Sequence, residues 1–286
     1  MQVAVNGIRL WFDVEGPGLV PDGEGMRQRP TLVLLHGGPG FDHATFKPAF
    51  GALADTAQVI YLDHRGQGRS GGEDRSTWTL AQWADDVRAF CDALGIEKPV
   101  VLGNSFGGFV AQEYLRRHPD HAAGVILSST AARMCPDLIA AAFERRGGPA
   151  VRDAAMDFWN DVRAEKVEAF SRTCMPYYTA QQPADGVPGR RRSLQKPEVL
   201  EHFSGRGGEM WQMDFRDSLR GTRVPVLVLA GDLDPITPWE CAEELVAHLP
   251  PHLTTYHRVP HCGHGLWRDD PDGCFAVIRS FLDKVA

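Results

Sequence analysis

Short, almost wholly apolar runs alternate along this chain with longer segments in which apolar residues recur at helical spacing. The apolar runs are TLVLLH at 31–36, QVIYLDH at 58–64, VVLGN at 100–104, GVILSS at 124–129 and PVLVLAG at 225–231. Strands that are covered on both faces have this pattern, because neither face meets water. The pattern therefore predicts an α/β fold, built on a mostly parallel sheet with helices on both of its faces.

Four of the intervening segments have the apolar spacing of amphipathic helices. They are TLAQWADDVRAFCDALGI, FGGFVAQEYLRRH, PWECAEELVAHL and GCFAVIRSFLDKV. In the first of them, Thr79 is a good N-cap and Gly95 a good stop signal. The runs IRLWFDV and LTTYHRV add two more strands, whereas residues 17–30, with several Pro and Gly, are predicted to form a loop.

The pattern changes between residues 134 and 215, where the chain is mostly helical in character and is broken by Pro and Gly. Buried-strand runs resume only after this segment. We therefore predict one α/β domain made of residues 1–133 and 216–286, interrupted by a helical insertion at 134–215. The sequence contains no internal repeat or low-complexity segment that would indicate a further domain.

The charge of the chain excludes some classes of partner. Asp and Glu number 37 against 30 Lys and Arg, which gives a formal net charge of −7 and no basic field for nucleic acid or anionic lipid. No apolar run is long enough to span a membrane, and the first residues alternate like a strand rather than a signal peptide. Six cysteines without paired spacing indicate free thiols. We expect a cytoplasmic protein that binds neither nucleic acid nor membrane.

One serine lies on a glycine-rich turn at the point where the strand VVLGN meets the next helix. Residues 103–107 read GNSFG and match the pattern G-x-S-x-G, with Ser105 at its centre. In a strand–turn–helix context this pattern is typical of the nucleophile elbow, a sharp turn that exposes the serine oxygen above the carboxyl ends of the strands. The sequence therefore predicts that Ser105 is a catalytic nucleophile.

A serine nucleophile needs a histidine base and an acid that orients it, and in this setting the acid precedes the histidine along the chain. GDLDP follows the strand PVLVLAG, and HCGHG follows LTTYHRV, so both loops leave the carboxyl ends of strands. The acid is Asp232 or Asp234, and the base is His261 or His264. We choose Asp234, because Pro235 helps to fix its loop. We choose His264, because its flanking glycines leave the ring free.

Acyl transfer also requires N–H donors for the developing oxyanion. One is the backbone N–H of Phe106, directly after the serine, and the other comes from the loop after an early strand. HGGPG follows the strand TLVLL, and the N–H of Gly38 is unobstructed there. The charged loop DHRGQGRS is interpreted as structural, with Asp63 and Arg65 bracing the backbone and each other.

With HGGPG, DHRGQGRS, GNSFGG, GDLDPITP and HCGHGLW in this order, the sequence resembles the α/β-hydrolase superfamily along nearly its whole length. It looks most like the proline iminopeptidase (prolyl aminopeptidase) branch. The resemblance implies an eight-stranded, mostly parallel sheet with an inserted helical cap, and a Ser-His-Asp enzyme without metal or organic cofactor. By motif, the triad is Ser105, Asp234 and His264, and the oxyanion hole is Gly38 and Phe106. The run HRVPHCGH offers zinc ligands but lacks a second ligand cluster.

The resemblance also implies that a small molecule or short peptide is held under the cap. Iminopeptidases bind the free amino terminus of the substrate with carboxylates, and Glu209 in GGEMWQMDF is the best positional match for one of these. Trp211, in the same run, is a candidate for an apolar pocket. Phe106 departs from the family pattern, in which a tryptophan or tyrosine often follows the serine, and this leaves other substrates open.

Three alternatives to the iminopeptidase remain. A carboxylesterase or lactonase requires only an apolar pocket, for which Trp159, Phe158 and Met213 are further candidates. A carbon–carbon bond hydrolase that acts on dienoic acids requires a cation for the carboxylate, and Arg172 or Arg206 could supply it. The alternative of a different class is a ligand receptor that has the hydrolase fold but no activity.

Overall fold

The computed structural model describes residues 1–180 and 192–285. The strands in these ranges are β1 (Gln2–Val5), β2 (Ile8–Glu15), β3 (Leu19–Asp22), β4 (Gly25–Gln28), β5 (Thr31–Leu35), β6 (Gln58–Leu62), β7 (Val100–Asn104), β8 (Gly124–Ser128), β9 (Val226–Gly231) and β10 (Thr254–Val259). An eight-stranded sheet has the order β1-β2-β6-β5-β7-β8-β9-β10. β2 runs antiparallel to both of its neighbours, and all other neighbours are parallel. The predicted fold class is confirmed.

The helices of the described residues are α1 (Leu80–Ala93), α2 (Phe106–Arg117), α3 (Pro136–Gly147), α4 (Pro149–Asn160), α5 (Val167–Thr173), α6 (Pro197–Ser204), α7 (Arg216–Leu219), α8 (Trp239–His248) and α9 (Pro271–Val285). The four helices predicted from apolar spacing are α1, α2, α8 and α9. Thr79 caps α1, because its side chain accepts a hydrogen bond from the Gln82 N–H at 3.2 Å. Gly95 follows the helix with φ +67°, the left-handed conformation that ends many helices.

Both faces of the central strands are buried. In β5, Val33 and Leu35 belong to the hydrophobic cluster that contains residues of α1 and α2. Leu32 and Leu34 belong to a second cluster, on the opposite face of the sheet, which contains residues of α9. Successive side chains of a strand point to opposite faces, so a strand between two helical layers must be apolar at every position.

The segment predicted as an insertion contains α3, α4, α5 and α6, between β8 and β9. The chain enters and leaves it at neighbouring points, because Arg133 and Asp214 form a β-bridge and the Phe215 N–H donates to the carbonyl of Ala132 at 2.9 Å. Phe203 of α6 is buried in the cluster that also holds residues of α1 and α2. The domain boundaries themselves stay a prediction.

Residues 17–30 do not form the predicted loop. They contain a hairpin in which β3 pairs antiparallel with β4, from Leu19 opposite Gln28 to Asp22 opposite Gly25. Leu19 and Met26 are exposed and Val20 is only half-buried, so no buried face produced an alternating pattern in the sequence. Gly23, with φ +60°, lies in the two-residue turn, and that glycine was the available signal for a hairpin.

The loop after β6 is structural, but Asp63 and Arg65 do not contact each other in the predicted way. Asp63 braces the backbone, since it accepts hydrogen bonds from the N–H groups of His43 and Arg69 at 2.9 Å each. Arg65 instead forms a buried ion pair with Asp86, with N–O distances of 2.7 and 2.8 Å. The partner of Arg65 is thus on α1, which sequence spacing did not reveal.

Two further expectations concern membranes and cysteines. Among the described residues, no helix combines the length and the apolar character that are needed to cross a bilayer. All six cysteines are buried, and each is a free thiol, as their unpaired spacing predicted.

Candidate active site

Ser105 occupies a strained turn between β7 and α2. Its φ of 55° and ψ of −119° lie in a region that residues with a side chain rarely adopt. The flanking glycines are required by backbone contacts. A Cβ on Gly103 would overlap the carbonyl of Gly107, and a Cβ on Gly107 would overlap the carbonyl of Leu35 at the end of β5. The elbow is therefore held by close packing of β7, α2 and β5.

Two sets of backbone groups lie beside Ser105. Phe106 is the first residue of α2, so its N–H has no acceptor inside the helix and shares the positive end of the helix dipole. The HGGPG loop lies on the other side, where a Cβ on Gly37 would be 3.2 Å from the Cβ of Ser105. Gly38, with φ +127°, lines the same cavity as Ser105. The structure thus brings both predicted oxyanion-hole residues close to the serine.

The histidine and the aspartate chosen from the sequence are hydrogen-bonded to each other. His264 Nδ1 lies 2.8 Å from Asp234 Oδ2, and both side chains are buried. Asp234 Oδ1 also accepts from the N–H groups of Ile236 and Thr237 at 2.8 and 3.0 Å, and Oδ2 accepts from the Thr237 hydroxyl at 2.8 Å. A carboxylate on Nδ1 favours the tautomer whose proton is on Nδ1, which leaves Nε2 as an acceptor.

The rejected alternatives lie apart from this pair. His261 is exposed, with φ +57°, and does not line the cavity that holds Ser105. One carboxylate oxygen of Asp232 is buried and has no hydrogen-bond partner among the residues that the structure describes. His257, a member of the run considered for zinc, is also exposed.

A different cluster has the composition of a metal site. Within the part of the chain that the structure describes, the metal-ligating atoms of Asp42, His43 and Asp63 lie within 4.8 Å of one another and are buried. These atoms already have partners. His43 Nδ1 lies 2.8 Å from Asp63 Oδ1, and Asp42 Oδ2 accepts from Arg69 and from the Leu194 N–H at 2.9 and 3.0 Å. The cluster therefore acts as a hydrogen-bonded brace.

Ser105 and His264 lie on the wall of one cavity of about 150 Å³, between the sheet domain and α3–α6. Most of its wall is apolar, and Phe158 and Trp159, two of the pocket residues considered from the sequence, belong to it. Met213 does not. Among the residues that the structure describes, no Asp or Glu lines this cavity.

The structure does not bring the predicted substrate-binding residues, Glu209 and Trp211, to the cavity wall. The Glu209 carboxylate accepts a hydrogen bond from the Leu80 N–H at 2.8 Å, and burial raises its pKa. The Trp211 indole donates to the carbonyl of Ser204 at 2.9 Å. Consecutive residues of this short 3₁₀ turn point about 120° apart, so it is Met210, between them, that lines the cavity.

The cations considered for a substrate carboxylate are also displaced. Arg172 and Arg206 are exposed and do not line the cavity, whereas Arg133 and Arg268 do. The signal for Arg268 was its position four residues after His264, in HCGHGLWR. No sequence signal indicated Arg133.

A residue of the insertion also holds the histidine loop, and sequence reasoning missed it. The carbonyl of Tyr178 accepts a hydrogen bond from the His264 N–H at 2.6 Å, and the Tyr178 ring packs edge-on against the imidazole at 5.4 Å. A Cβ on Gly263 would overlap the carbonyl of Tyr178. The glycine before His264 is therefore required by this contact.

A serine on a strand–helix turn, with a carboxylate-bound histidine at the carboxyl ends of a mostly parallel sheet, defines the class of α/β hydrolases. The family model described as alpha/beta hydrolase fold matches residues 30–269, and the chain belongs to this family. It is an enzyme of the α/β-hydrolase type.

The relatives within the family differ in what they hydrolyse. The chain is 28% identical over 263 residues to a putative carbamate hydrolase, RutD, of Caulobacter sp. (strain K31). The aligned part covers 89% of this chain and 91% of the relative. The proline iminopeptidase of Mycobacterium smegmatis superposes with a TM-score of 0.77 at 26% identity, over 100% of this chain and 98% of that one. A thermophilic esterase from Thermogutta terrifontis superposes with a TM-score of 0.69 at 27% identity, over 100% and 99%. The resemblance to proline iminopeptidases is thus confirmed, and the esterase is similar at nearly the same sequence identity, with a lower TM-score.

Proposed function

We propose that the protein is a serine hydrolase that cleaves small carboxylic esters, with Ser105 as nucleophile, His264 as base and Asp234 as the orienting acid. The observation that carries this proposal is the 2.8 Å hydrogen bond between His264 and Asp234 beside a cavity that His264 shares with Ser105. The three residues would then supply the nucleophile, the base and the orienting acid that acyl transfer requires.

The reaction runs in two halves. His264 Nε2 takes the proton of Ser105 as the serine oxygen attacks the ester carbonyl, and Asp234 stabilises the imidazolium. The N–H groups of Gly38 and Phe106 stabilise the oxyanion of the tetrahedral intermediate. The intermediate collapses, the alcohol leaves with the proton held by His264, and an acyl-serine remains. Water, activated by His264, then attacks the acyl-serine and releases the acid.

The walls of the cavity support an ester rather than a peptide amine as substrate. An aminopeptidase needs a negative subsite for the substrate ammonium, and within the described ranges no carboxylate lines the cavity. Glu209, the candidate for that subsite, is hydrogen-bonded to the Leu80 N–H. An ester or lactone requires only apolar surface and the oxyanion donors, and this wall offers both.

Proline iminopeptidase activity is the second candidate. It is favoured by the superposition on the Mycobacterium smegmatis enzyme over 100% of this chain at 26% identity. The two candidates share the same triad, so only the substrate distinguishes them.

The test is steady-state hydrolysis of p-nitrophenyl acetate and butyrate beside proline p-nitroanilide, with Ser105→Ala as control. We expect ester turnover that falls by at least about 10³-fold in the variant. Strong turnover of the proline anilide with weak ester turnover would overturn the ester assignment and support the iminopeptidase.

A fluorophosphonate probe tests the nucleophile independently of substrate. We expect one label per chain, mapped to Ser105 by peptide mass spectrometry, and none in Ser105→Ala. An unlabelled wild-type chain that turns over no substrate would favour the ligand receptor.

A further inference from the structure

Among the described residues, no carboxylate lies within ion-pair distance of Arg268, the second arginine on the cavity wall. The Arg268 Nη1 donates to the carbonyl of His264 at 2.9 Å, and Nε is buried with no hydrogen-bond partner in the described ranges. Its neighbour Asp269 is directed elsewhere, because its two oxygens accept from the N–H groups of Ala180 and Gly263 at 2.9 and 2.8 Å. In the described part of the chain, no carboxylate forms an ion pair with Arg268.

Arg133 is the matched contrast on the same cavity wall. Its guanidinium contacts Glu244 Oε1 at 3.0 and 3.1 Å, so its charge is balanced within the protein. Among the described residues that line the cavity, Arg268 is the arginine whose charge is left for a ligand.

Aromatic side chains hold the Arg268 guanidinium in place. Its guanidinium packs over the Trp267 ring at 5.0 Å, and that ring packs against Phe46 and Phe50 at 5.4 and 5.0 Å. Burial lowers the pKa of Arg268 to about 10, so the group remains charged at neutral pH. Arg268 is half-buried with its Nε out of contact with water, and such a cation is unfavourable unless it has an ion-pair partner, which the described residues do not supply. A bound anion would remove that cost.

We propose that Arg268 binds a carboxylate of the substrate, so that the preferred substrates are small esters that also bear a carboxylate. This inference rests on the proposed ester hydrolase. A single unpaired guanidinium matches a single negative charge, and guanidinium N–H groups form strong charge-assisted hydrogen bonds with carboxylates. Because Arg268 is anchored on the backbone of His264, the carboxylate lies only a few bonds from the scissile carbonyl.

Two pairs of isosteric esters test the preference on either side of the scissile bond. Monoethyl succinate is compared with ethyl isocaproate, which replaces the carboxylate on the acyl side by an isopropyl group. Carboxymethyl butyrate is compared with isobutyl butyrate, which does the same on the alcohol side. We expect the anionic ester of one pair to have the higher kcat/KM in the wild-type enzyme.

The variants separate charge from structure. Arg268→Gln removes the charge and keeps a polar amide on a shorter side chain, and we expect the anionic-to-neutral ratio of kcat/KM to fall about 10- to 100-fold, mostly through KM. Arg268→Lys keeps the charge and should retain part of the ratio. Arg133→Gln is the matched control and should leave the ratio as it is. If the role of Arg268 were purely structural, Arg268→Gln would lower kcat/KM equally for both esters of a pair.

Direct binding makes the test independent of turnover. Monoethyl succinate and carboxymethyl butyrate are titrated calorimetrically into Ser105→Ala and into Ser105→Ala with Arg268→Gln, and we expect one of them to lose at least tenfold in affinity. Equal affinities in both backgrounds for both ligands, or ratios unchanged in Arg268→Gln, would overturn the inference. Labelling of Ser105 by the fluorophosphonate, together with turnover of neutral esters by the unlabelled enzyme and no anionic preference, would overturn this inference alone. Absence of labelling and of all ester turnover would overturn the proposed function itself.

Discussion

At the scale of single residues, the hydrogen bonds of Asp234 are the reason why we assign the acid to it rather than to Asp232. Its two oxygens accept hydrogen bonds from two backbone N–H groups, from the Thr237 hydroxyl and from His264. A carboxylate held by so many donors keeps a fixed orientation, and it thereby fixes the imidazole. Asp232, two residues earlier, has a buried oxygen that no described residue contacts through a hydrogen bond.

Asp234→Asn should lower kcat for p-nitrophenyl butyrate by about 10³- to 10⁴-fold with little change in KM, because the amide favours the wrong imidazole tautomer. Asp232→Asn is the matched control and should stay within about twofold of the wild type. A continuous assay of p-nitrophenolate release gives kcat and KM for both variants. A loss in Asp232→Asn as large as in Asp234→Asn would show that the acid has been misassigned.

Gly107→Ala should lower the free energy of unfolding by at least about 3 kcal/mol, measured by urea denaturation. Alanine is the better helix former, so the loss would come only from the overlap of the new Cβ with the carbonyl of Leu35. Gly25→Ala is the control, since a Cβ there would be 3.7 Å from its nearest neighbour, Asp22 O. Similar stabilities of the two variants would contradict the packing account of the elbow.

At the scale of secondary-structure elements, the start of α1 depends on a residue that is far away in sequence. Thr79 accepts from the Gln82 N–H, and Glu209, from the short turn before α7, accepts from the Leu80 N–H. A helix leaves its first N–H groups without internal acceptors, and carboxylates are favourable at this end. Glu209 thus links the inserted segment to the sheet domain, which is a structural role.

Glu209→Ala should cost about 0.5–2 kcal/mol of stability, because the Leu80 N–H loses its acceptor. Glu209→Gln keeps an acceptor and should be close to the wild type. The raised pKa of Glu209 gives the sign of the pH dependence. Because the folded protein binds the Glu209 proton more tightly than the unfolded chain does, protonation stabilises the fold at low pH, and this contribution is lost as pH rises from the ordinary pKa of 4.5 through the raised pKa. The free energy of unfolding of Glu209→Gln should therefore increase relative to that of the wild type over this range. Urea unfolding near pH 4.5 and at neutral pH measures this difference.

The activity of the same variants decides whether Glu209 also binds substrate. We expect both to hydrolyse esters within about twofold of the wild type. A selective rise in KM for proline p-nitroanilide in Glu209→Gln would instead restore Glu209 as the amine subsite of an iminopeptidase.

At the scale of the whole molecule, the inserted segment is hydrogen-bonded to both loops that form the site. Before residues 181–191, the Ala180 N–H donates to Asp269 at 2.9 Å, next to the contact between Tyr178 and His264. After them, the Lys196 N–H donates to the carbonyl of Gly40, in the HGGPG loop, at 2.8 Å. The position of the histidine loop therefore depends on the insertion as well as on the sheet.

Asp269→Asn should lower kcat/KM for esters by about tenfold, because one of its two backbone contacts, to Ala180 or to Gly263, must be lost. Asp272→Asn is the matched control, since Asp272 is exposed at the start of α9. Equal kinetics of the two variants would mean that the contact between the insertion and the histidine loop does not position the site.

The fold was predictable because its signals are local. A strand buried on both faces is apolar at each position, and an amphipathic helix is apolar at every third or fourth, so β5 and α1 are visible without knowledge of their neighbours. The exposed hairpin of β3 and β4 has no such face and was missed. The motif order likewise indicated Ser105, Asp234 and His264, since each follows the carboxyl end of a strand.

By itself, the sequence determined the α/β class, the sheet strands and the loops from which a site can be built, because burial and turn chemistry act over a few neighbouring residues. Only the tertiary structure decided which side chains reach the cavity. Glu209 accepts from the Leu80 N–H while Met210 lines the cavity. Arg133 pairs with Glu244, whereas Arg268 has no ion-pair partner in the part of the chain that the structure describes. The two contacts join residues that are 129 and 111 positions apart in the sequence, and no local pattern encodes such pairs.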